Sequence, residues 1–166
     1  CSNPENIKPY PEKYYKDVWT TKVHLKKGYT SIYEFSWEDY YIYMLVHLAK
    51  HIKLGGSGIR SIIDIKIFLD KKKEELNWDY VKEELKKLHL SQFEYWMRQL
   101  SEVWFGTEKT TPLYDELTEF IVDSGTYGTI KNYHASHVVE LGGKNQNLSV
   151  GKIRSKLEII FLPYEG

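Results

Sequence analysis

The sequence predicts a mainly α-helical bundle of about six helices, with a short β-hairpin close to its N-terminus. Apolar residues recur three and four positions apart through most of the chain, which is the spacing of a helix with one buried face. Residues that cap helices stand immediately before several of these segments. A chain of 166 residues can bury a core, and we divide it into a lead-in and hairpin at residues 1–35 and a helical domain at residues 36–166.

The N-terminal part has little helical character. Three prolines predict an extended lead-in over residues 1–13, and residues 14–19 predict a short turn of helix. Two β-prone runs follow at residues 20–25 and 30–35, and the lysines and glycine between them predict a hairpin turn. Because an isolated hairpin is only marginally stable in water, we expect it to pack against the helices.

The chain is organised around residues 36–69, which predict two consecutive helices hinged on the sequence Gly-Gly-Ser-Gly at residues 55–58. The Ser36 hydroxyl can accept a hydrogen bond from the amide of Asp39, which marks the start of the first helix. The stripe predicted to be buried is Trp37, Tyr41, Met44, Leu45, Leu48 and Ile52, with His51 inside it and Tyr40 and His47 at its edge. The second helix is apolar on nearly every side, which is typical of a buried helix.

Two further helices begin at recognisable signals. Asn77 can cap a third helix over residues 78–89. The sequence Ser91-Gln-Phe-Glu94 has the form of a capping box, so we expect a fourth helix that starts there and ends near Phe105.

The last two predicted helices are marked differently. Thr111-Pro112 is an N-cap followed by proline at the first helical position, which predicts a fifth helix that ends at Ser124-Gly125. Residues 148–161 predict a sixth helix before Pro163.

Composition excludes several classes of protein. Lys and Arg (23) balance Asp and Glu (23), so no overall field favours nucleic acid or an anionic membrane. No apolar run approaches the roughly 18 residues that a membrane-spanning helix needs. One cysteine excludes an internal disulfide and favours a reducing compartment, so we expect a cytoplasmic protein.

The position of that cysteine has two interpretations. Cys1 opens a chain without an initiator methionine, which predicts a piece of a longer polypeptide. The alternative is a mature bacterial lipoprotein, whose first residue is the lipid-bearing cysteine after signal removal.

One motif imitates a catalytic signature. Gly56-Ser57 followed by Asp64-Ile-Lys66 resembles the Gly-Ser … Asp-x-Asp pattern of nucleotidyltransferases related to DNA polymerase β, in which two carboxylates bind the metal ions. Lysine cannot bind Mg²⁺, and the gap from Ser57 to Asp64 is too short. The chain contains no Asp-x-Asp or Asp-x-Glu pair to replace it. We therefore expect no catalytic residue and no Mg²⁺ site in this chain.

His47 and His51 have the spacing that lets two imidazoles on one helix face reach a single zinc ion. A zinc protease would also need a glutamate directly after the first histidine, where this chain has Leu48. The structural alternative is a hydrogen-bonded pair of partly buried histidines, with Asp64 and Arg60 as their partners. The third is a phosphate-binding surface that combines the histidines with Arg60 and the amides at the start of the second helix.

Five short segments together resemble the C-terminal part of a bacterial family of uncharacterised nucleotidyltransferases. They are HLAKH at residues 47–51, GGSGIRSIID at 55–64, WDY at 78–80, SGTYGT at 124–129 and FLPY at 161–164. The resemblance runs over most of residues 14–164, and its most specific part is the histidine pair followed by Gly-Ile-Arg-x-x-x-Asp. In this family a catalytic core related to DNA polymerase β precedes such a region.

The resemblance implies a helical accessory domain that helps to close the substrate site of a nucleotidyl-transfer core preceding it in the same polypeptide. The parent enzyme would use NTP with Mg²⁺, and this fragment alone would be inactive. Arg60 and the histidines would contact phosphate or acceptor, and Asp64 would orient Arg60. The residues implied at the substrate site are His47, His51, Gly56, Ser57, Gly58, Arg60 and Asp64. The alternatives are a non-enzymatic protein-interaction module and the lipid-anchored protein.

Overall fold

The structure, a computed structural model, describes residues 14–53 and 56–125. Within these residues the chain forms six helices and one two-stranded antiparallel sheet, which confirms the predicted mainly α-helical fold. The elements are α1 Val18–Thr21, β1 Val23–Leu25, β2 Tyr33–Phe35, α2 Trp37–Lys53, α3 Ile59–Lys72, α4 Trp78–Lys87, α5 Ser91–Phe105 and α6 Pro112–Ser124. The predicted lead-in at residues 1–13 and helix at residues 148–161 lie outside the described residues.

The hairpin is present, with strands shorter than the β-prone runs that predicted it. Val23 lies opposite Phe35 in an antiparallel register, and Gly28 supplies a positive φ of 86° in the turn. The ring of Phe35 stacks on Tyr43 of α2, with 5.8 Å between ring centroids. The expected packing of the hairpin against the helices is therefore confirmed.

Local capping chemistry sets the starts of α2 and α4. The Asp39 amide donates to the Ser36 hydroxyl at 3.1 Å, and the Tyr80 amide donates to the Asn77 side chain at 3.2 Å. Each bond satisfies a backbone donor that the first helical turn leaves without a partner. Both caps confirm the predicted helix starts.

The predicted capping box of α5 is wrong. Ser91 is the first residue of the helix, and Leu90 holds the cap position without a side-chain bond. The Glu94 carboxylate is buried and accepts hydrogen bonds from the Tyr41 hydroxyl at 2.9 Å and from Arg98 Nε at 2.7 Å. Both bonds are accepted by Oε1, so the Glu94 carboxylate serves this buried contact and not a capping box.

Tyr41 of α2 is the centre of the helical packing. Its side chain is fully buried, and its ring stacks on Phe68 of α3 at 5.5 Å with an interplanar angle of 8°. The same ring meets Trp78 of α4 edge-on at 6.0 Å, and its hydroxyl donates to Glu94 of α5. One side chain thus contacts three other helices. Burial, reinforced by the Glu94 charge, raises the pKa of this hydroxyl well above its usual value.

Helix α3 is buried on one face and not all round, so that prediction is wrong. Ile62 and Ile65 are inaccessible or nearly so, whereas Ile59 and Ile67 are 43% and 48% exposed. An apolar composition shows that a helix can be buried, but the neighbouring helices decide which face is covered. The outer face of α3 therefore presents accessible apolar side chains beside its charged residues.

A buried charge network joins the hairpin region to α2 and α4. Lys22 Nζ lies 2.8 Å from Glu84 Oε2 and 3.2 Å from Asp39 Oδ1, and it donates to the Tyr80 hydroxyl at 2.7 Å. The three charged side chains are at most 10% exposed. The Tyr14 hydroxyl donates a further short hydrogen bond to Glu84. The ammonium group and both carboxylates are thereby paired inside the protein.

The pairing outweighs the cost of burial for both central groups. Burial by itself would raise the pKa of Glu84, but hydrogen bonds from Lys22, Lys87 and Tyr14 lower it to about 2. Burial would likewise lower the pKa of Lys22, and its bonds to Glu84 and the tyrosines raise it instead. Both groups therefore remain charged at neutral pH.

The one-sided burial of α3 can be tested with two isoleucines on the same helix. Ile65→Ala removes a buried side chain, so we expect the free energy of unfolding to fall by about 2–5 kcal/mol. Ile67→Ala is the matched control, and its loss should stay within about 0.5 kcal/mol. Urea unfolding at neutral pH measures both, and equal losses would show that both faces of α3 are covered.

The buried network can be tested with two lysines of the hairpin region. Lys22→Met removes the ammonium that Asp39 and Glu84 share, which leaves Asp39 without a cation and Glu84 with only the exposed Lys87. We therefore expect a loss of about 3–5 kcal/mol in the free energy of unfolding. Lys26→Met removes the exposed pair of Lys26 with Glu34 at 3.1 Å, and its cost should be about 1 kcal/mol or less. Denaturant unfolding measures the loss of stability in both variants. Equal losses would mean that the buried network stabilises the protein no more than a surface ion pair does.

Candidate functional site

Helices α2 and α3 lie side by side in opposite directions and enclose a groove of about 500 Å³. The direction follows from contacts between the start of α2 and the end of α3: the Trp37 ring lies 6.2 Å from Phe68, and the Lys72 ammonium lies 4.4 Å from the Trp37 ring centroid. Of the predicted site residues, His47 and Asp64 line this groove. It is therefore the place where the predicted site meets an accessible cavity.

The two histidines of α2 bond to each other. Their Nε2 atoms lie 3.0 Å apart, and the His47 ring also stacks on Tyr43 at 5.9 Å. Partial burial, followed by the neighbouring charges of His51 and Lys50, lowers the pKa of His47. A neutral imidazole at physiological pH can both donate and accept a hydrogen bond.

Two residues of the Gly-Ser-Gly sequence have structural roles. The Gly56 amide donates to the His51 carbonyl at 3.0 Å, which closes the C-terminal end of α2. Gly56 has a φ of 125°, and a Cβ there would collide with the Ser124 side chain at the end of α6. Ser57 is buried, with its hydroxyl 2.9 Å from that of Ser61.

Gly58 occupies the N-cap position of α3 in an extended conformation, without a side-chain bond. Arg60 and Asp64 follow one and two turns into the helix and are both exposed. Neither has an ion-pair partner among the described residues, and they do not pair with each other there. Within the described residues, both charged groups are therefore accessible to a ligand. The predicted role of Asp64 in orienting Arg60 stays a prediction.

The described residues do not fit a magnesium site. Lys66 stands where the second carboxylate of a nucleotidyltransferase signature would be, and its ammonium pairs with Asp70 and with Glu102 at 3.2 Å. Within residues 14–53 and 56–125, no group of three or more His, Cys, Asp or Glu side chains could hold a metal ion.

Sequence reasoning missed the aromatic side chains of the groove. Trp37 was assigned to the buried stripe of α2 but is 48% exposed, and that assignment is wrong. Tyr40 and Tyr43 are also exposed, and with Phe68 they line the groove. The spacing of Tyr40, Tyr43 and His47 along one edge of α2 is the signal that indicates a second, ligand-facing stripe.

Comparison with known proteins places the chain in a class of enzymes. Residues 2–106 match a family of nucleotidyltransferases. The family is described as "Uncharacterised nucleotidyltransferase", and because the match covers more than half of the chain, the chain belongs to it. No curated protein and no solved structure matches the chain. None of the helices in the described part of the chain is long and apolar enough to cross a membrane.

The environment of His47 predicts its titration. We expect this imidazole to have a pKa below 6.5, and His51→Gln should raise that pKa because it removes a neighbouring positive charge. The rise should be incomplete, since burial is the largest cause. Ring signals in an NMR pH titration measure the effect, with His24→Gln on the hairpin as the control.

The sign of the effect on stability follows from the direction of that shift. A lowered pKa means that the folded state binds fewer protons than the unfolded state, so the His47 contribution is complete above pH 6.5 and is lost as the pH falls. An unchanged His47 pKa in the His51→Gln variant would show that the two rings have no electrostatic interaction.

Proposed function

We propose that this chain is the helical accessory domain of a nucleotidyltransferase, and that it packs beside a core related to DNA polymerase β. The observation that carries the proposal is the family match, which includes both histidines, Arg60 and Asp64. The chain itself has no Asp-x-Asp or Asp-x-Glu pair, and the described residues do not fit a metal site. In this proposal the core binds the metal ions and carries out nucleotidyl transfer, and the helices contact the substrate.

The parent enzyme would transfer a nucleotidyl group from an NTP·Mg²⁺ complex to an acceptor hydroxyl or phosphate. Arg60 would bind phosphate, because its guanidinium has no ion-pair partner among the described residues and lies in the first turn of α3. The positive end of the helix dipole favours an anion at that position. His47 would add a hydrogen bond from a neutral ring.

A protein-interaction module is the second candidate, and one observation favours it. Trp37, Tyr40 and Ile67 present accessible apolar surface on the outer side of α2 and α3, and such patches commonly mark binding surfaces. This module would self-associate with increasing concentration. NTP with Mg²⁺ would neither raise its melting temperature nor shift its histidine NMR signals.

The test of the enzyme proposal is Arg60→Ala in the full-length parent. Loss of one charge-assisted hydrogen bond to phosphate should lower kcat/KM for nucleotidyl transfer by about 10- to 100-fold. Lys86→Ala removes an exposed positive charge on α4 and should leave the kinetics unchanged. Circular dichroism checks that both variants fold, and wild-type kinetics in a folded Arg60→Ala enzyme would remove Arg60 from the site.

A further inference from the structure

The groove between α2 and α3 extends well beyond the residues that the proposed function uses. Trp37, Tyr40 and Tyr43 line its α2 side, and each is between 42% and 48% exposed. Phe68 forms its floor and is nearly buried. Its volume of about 500 Å³ lies within the range of roughly 300–1,000 Å³ that is usual for small-molecule sites. The groove has the size and the ring surfaces to hold a planar organic molecule.

Different chemistry follows in order along α3. Phe68, Asp64 and Arg60 are spaced four residues apart on one side of the helix, which places successive side chains about 6 Å from one another along its axis. The order is an aromatic surface, then a hydrogen-bond acceptor, then a cation. A nucleotide has a complementary order, since a planar base, a ribose with hydroxyl donors and an anionic phosphate follow one another along the molecule.

A cation–π contact, an ion pair and a hydrogen bond hold the aromatic end in place. The Lys72 ammonium lies over the Trp37 ring at 4.4 Å while its charge is paired with Glu75 at 2.9 Å. In the first turn of α2, next to Trp37, the Glu38 carboxylate accepts a hydrogen bond from the Asn77 amide at 2.8 Å. A ring fixed in this way can stack on a ligand with little loss of conformational freedom.

We propose that this groove binds the nucleoside part of a nucleotide, with the base against Trp37, Tyr40 and Phe68 and the ribose hydroxyls donating to Asp64. The inference rests on the proposed function, which places the phosphates near Arg60. Base stacking on aromatic side chains is tolerant of the base, so it accounts for binding without fixing which base is preferred.

Asp64 favours a nucleoside over an apolar partner. Asp64 lines the groove, and its carboxylate has no ion-pair partner among the described residues. A helix of a second copy laid on the groove would bury that charge without a partner, which is unfavourable. Ribose supplies two hydroxyl donors that satisfy it.

The test is a titration of the isotope-labelled chain with the four ribonucleosides, without phosphate and without Mg²⁺. We expect at least one nucleoside to shift the Trp37 indole NMR signal, which Trp37→Phe assigns. Tyr40→Ala and Asp64→Asn should each weaken binding about tenfold. The matched controls are Tyr95→Ala on α5 and Asp79→Asn on α4, exposed residues outside the groove that should not change the affinity.

Four results would overturn the inference. The first is that no nucleoside shifts the Trp37 signal, and the second is that the groove variants bind as tightly as their controls. The third is that a 2′,3′-dideoxynucleoside binds as tightly as the ribonucleoside. The fourth is that dilution of the free chain changes the Trp37 signal, because a second copy would then occupy the groove.

A parallel titration with tripolyphosphate separates this inference from the proposed function. Shifts of the His47 and His51 signals that disappear in Arg60→Ala, without any nucleoside binding, would leave the phosphate role intact and remove the nucleoside site. Nucleoside binding without a tripolyphosphate effect would support the nucleoside site and remove the phosphate role of Arg60. Binding of neither probe would overturn both.

Discussion

The structure depends on the burial of one tyrosine hydroxyl. Tyr41 is inaccessible to solvent, so its hydroxyl must find its hydrogen-bond partner within the protein, because a buried polar group without one is costly. Glu94 provides that acceptor, and Arg98 offsets the charge that Glu94 brings into the interior. The Tyr41 ring stacks on Phe68 of α3 and meets Trp78 of α4 edge-on. The relative placement of α2, α3, α4 and α5 follows from satisfying this single group.

Two sets of charged side chains among the described residues differ in their burial and pairing. Lys22, Glu84 and Glu94 are buried, and each is paired with its opposite charge, which is how a folded protein tolerates buried charge. Arg60 and Asp64 are exposed on α3 and are unpaired within residues 14–53 and 56–125. The first set accounts for stability and leaves nothing for a ligand. In the second set, Asp64 lines the groove between α2 and α3, and Arg60 precedes it by four residues on α3, in a chain that belongs to a nucleotidyltransferase family.

Local signals predicted most of the fold, because a cap and its helix lie within a few residues of each other. Asn77 is an example, since its partner is Tyr80. The errors concern contacts between distant parts of the chain. Glu94 was assigned to a cap but bonds to Tyr41, 53 residues away. The candidate site divides in the same way: the spacing of the histidines predicted their contact, whereas the groove exists because no described element covers the outer faces of α2 and α3.

The contact of Gly56 with Ser124 limits how this protein can be altered. Replacing a loop glycine with alanine usually stabilises a protein where the backbone permits it, because the unfolded chain loses freedom. At Gly56 both the positive φ and the neighbouring serine forbid a side chain, so this common route to thermostable variants is closed at the turn between α2 and α3. A larger residue at position 124 meets the same barrier from the opposite side. In natural variants, positions 56 and 124 should consequently vary together, and both should carry small residues.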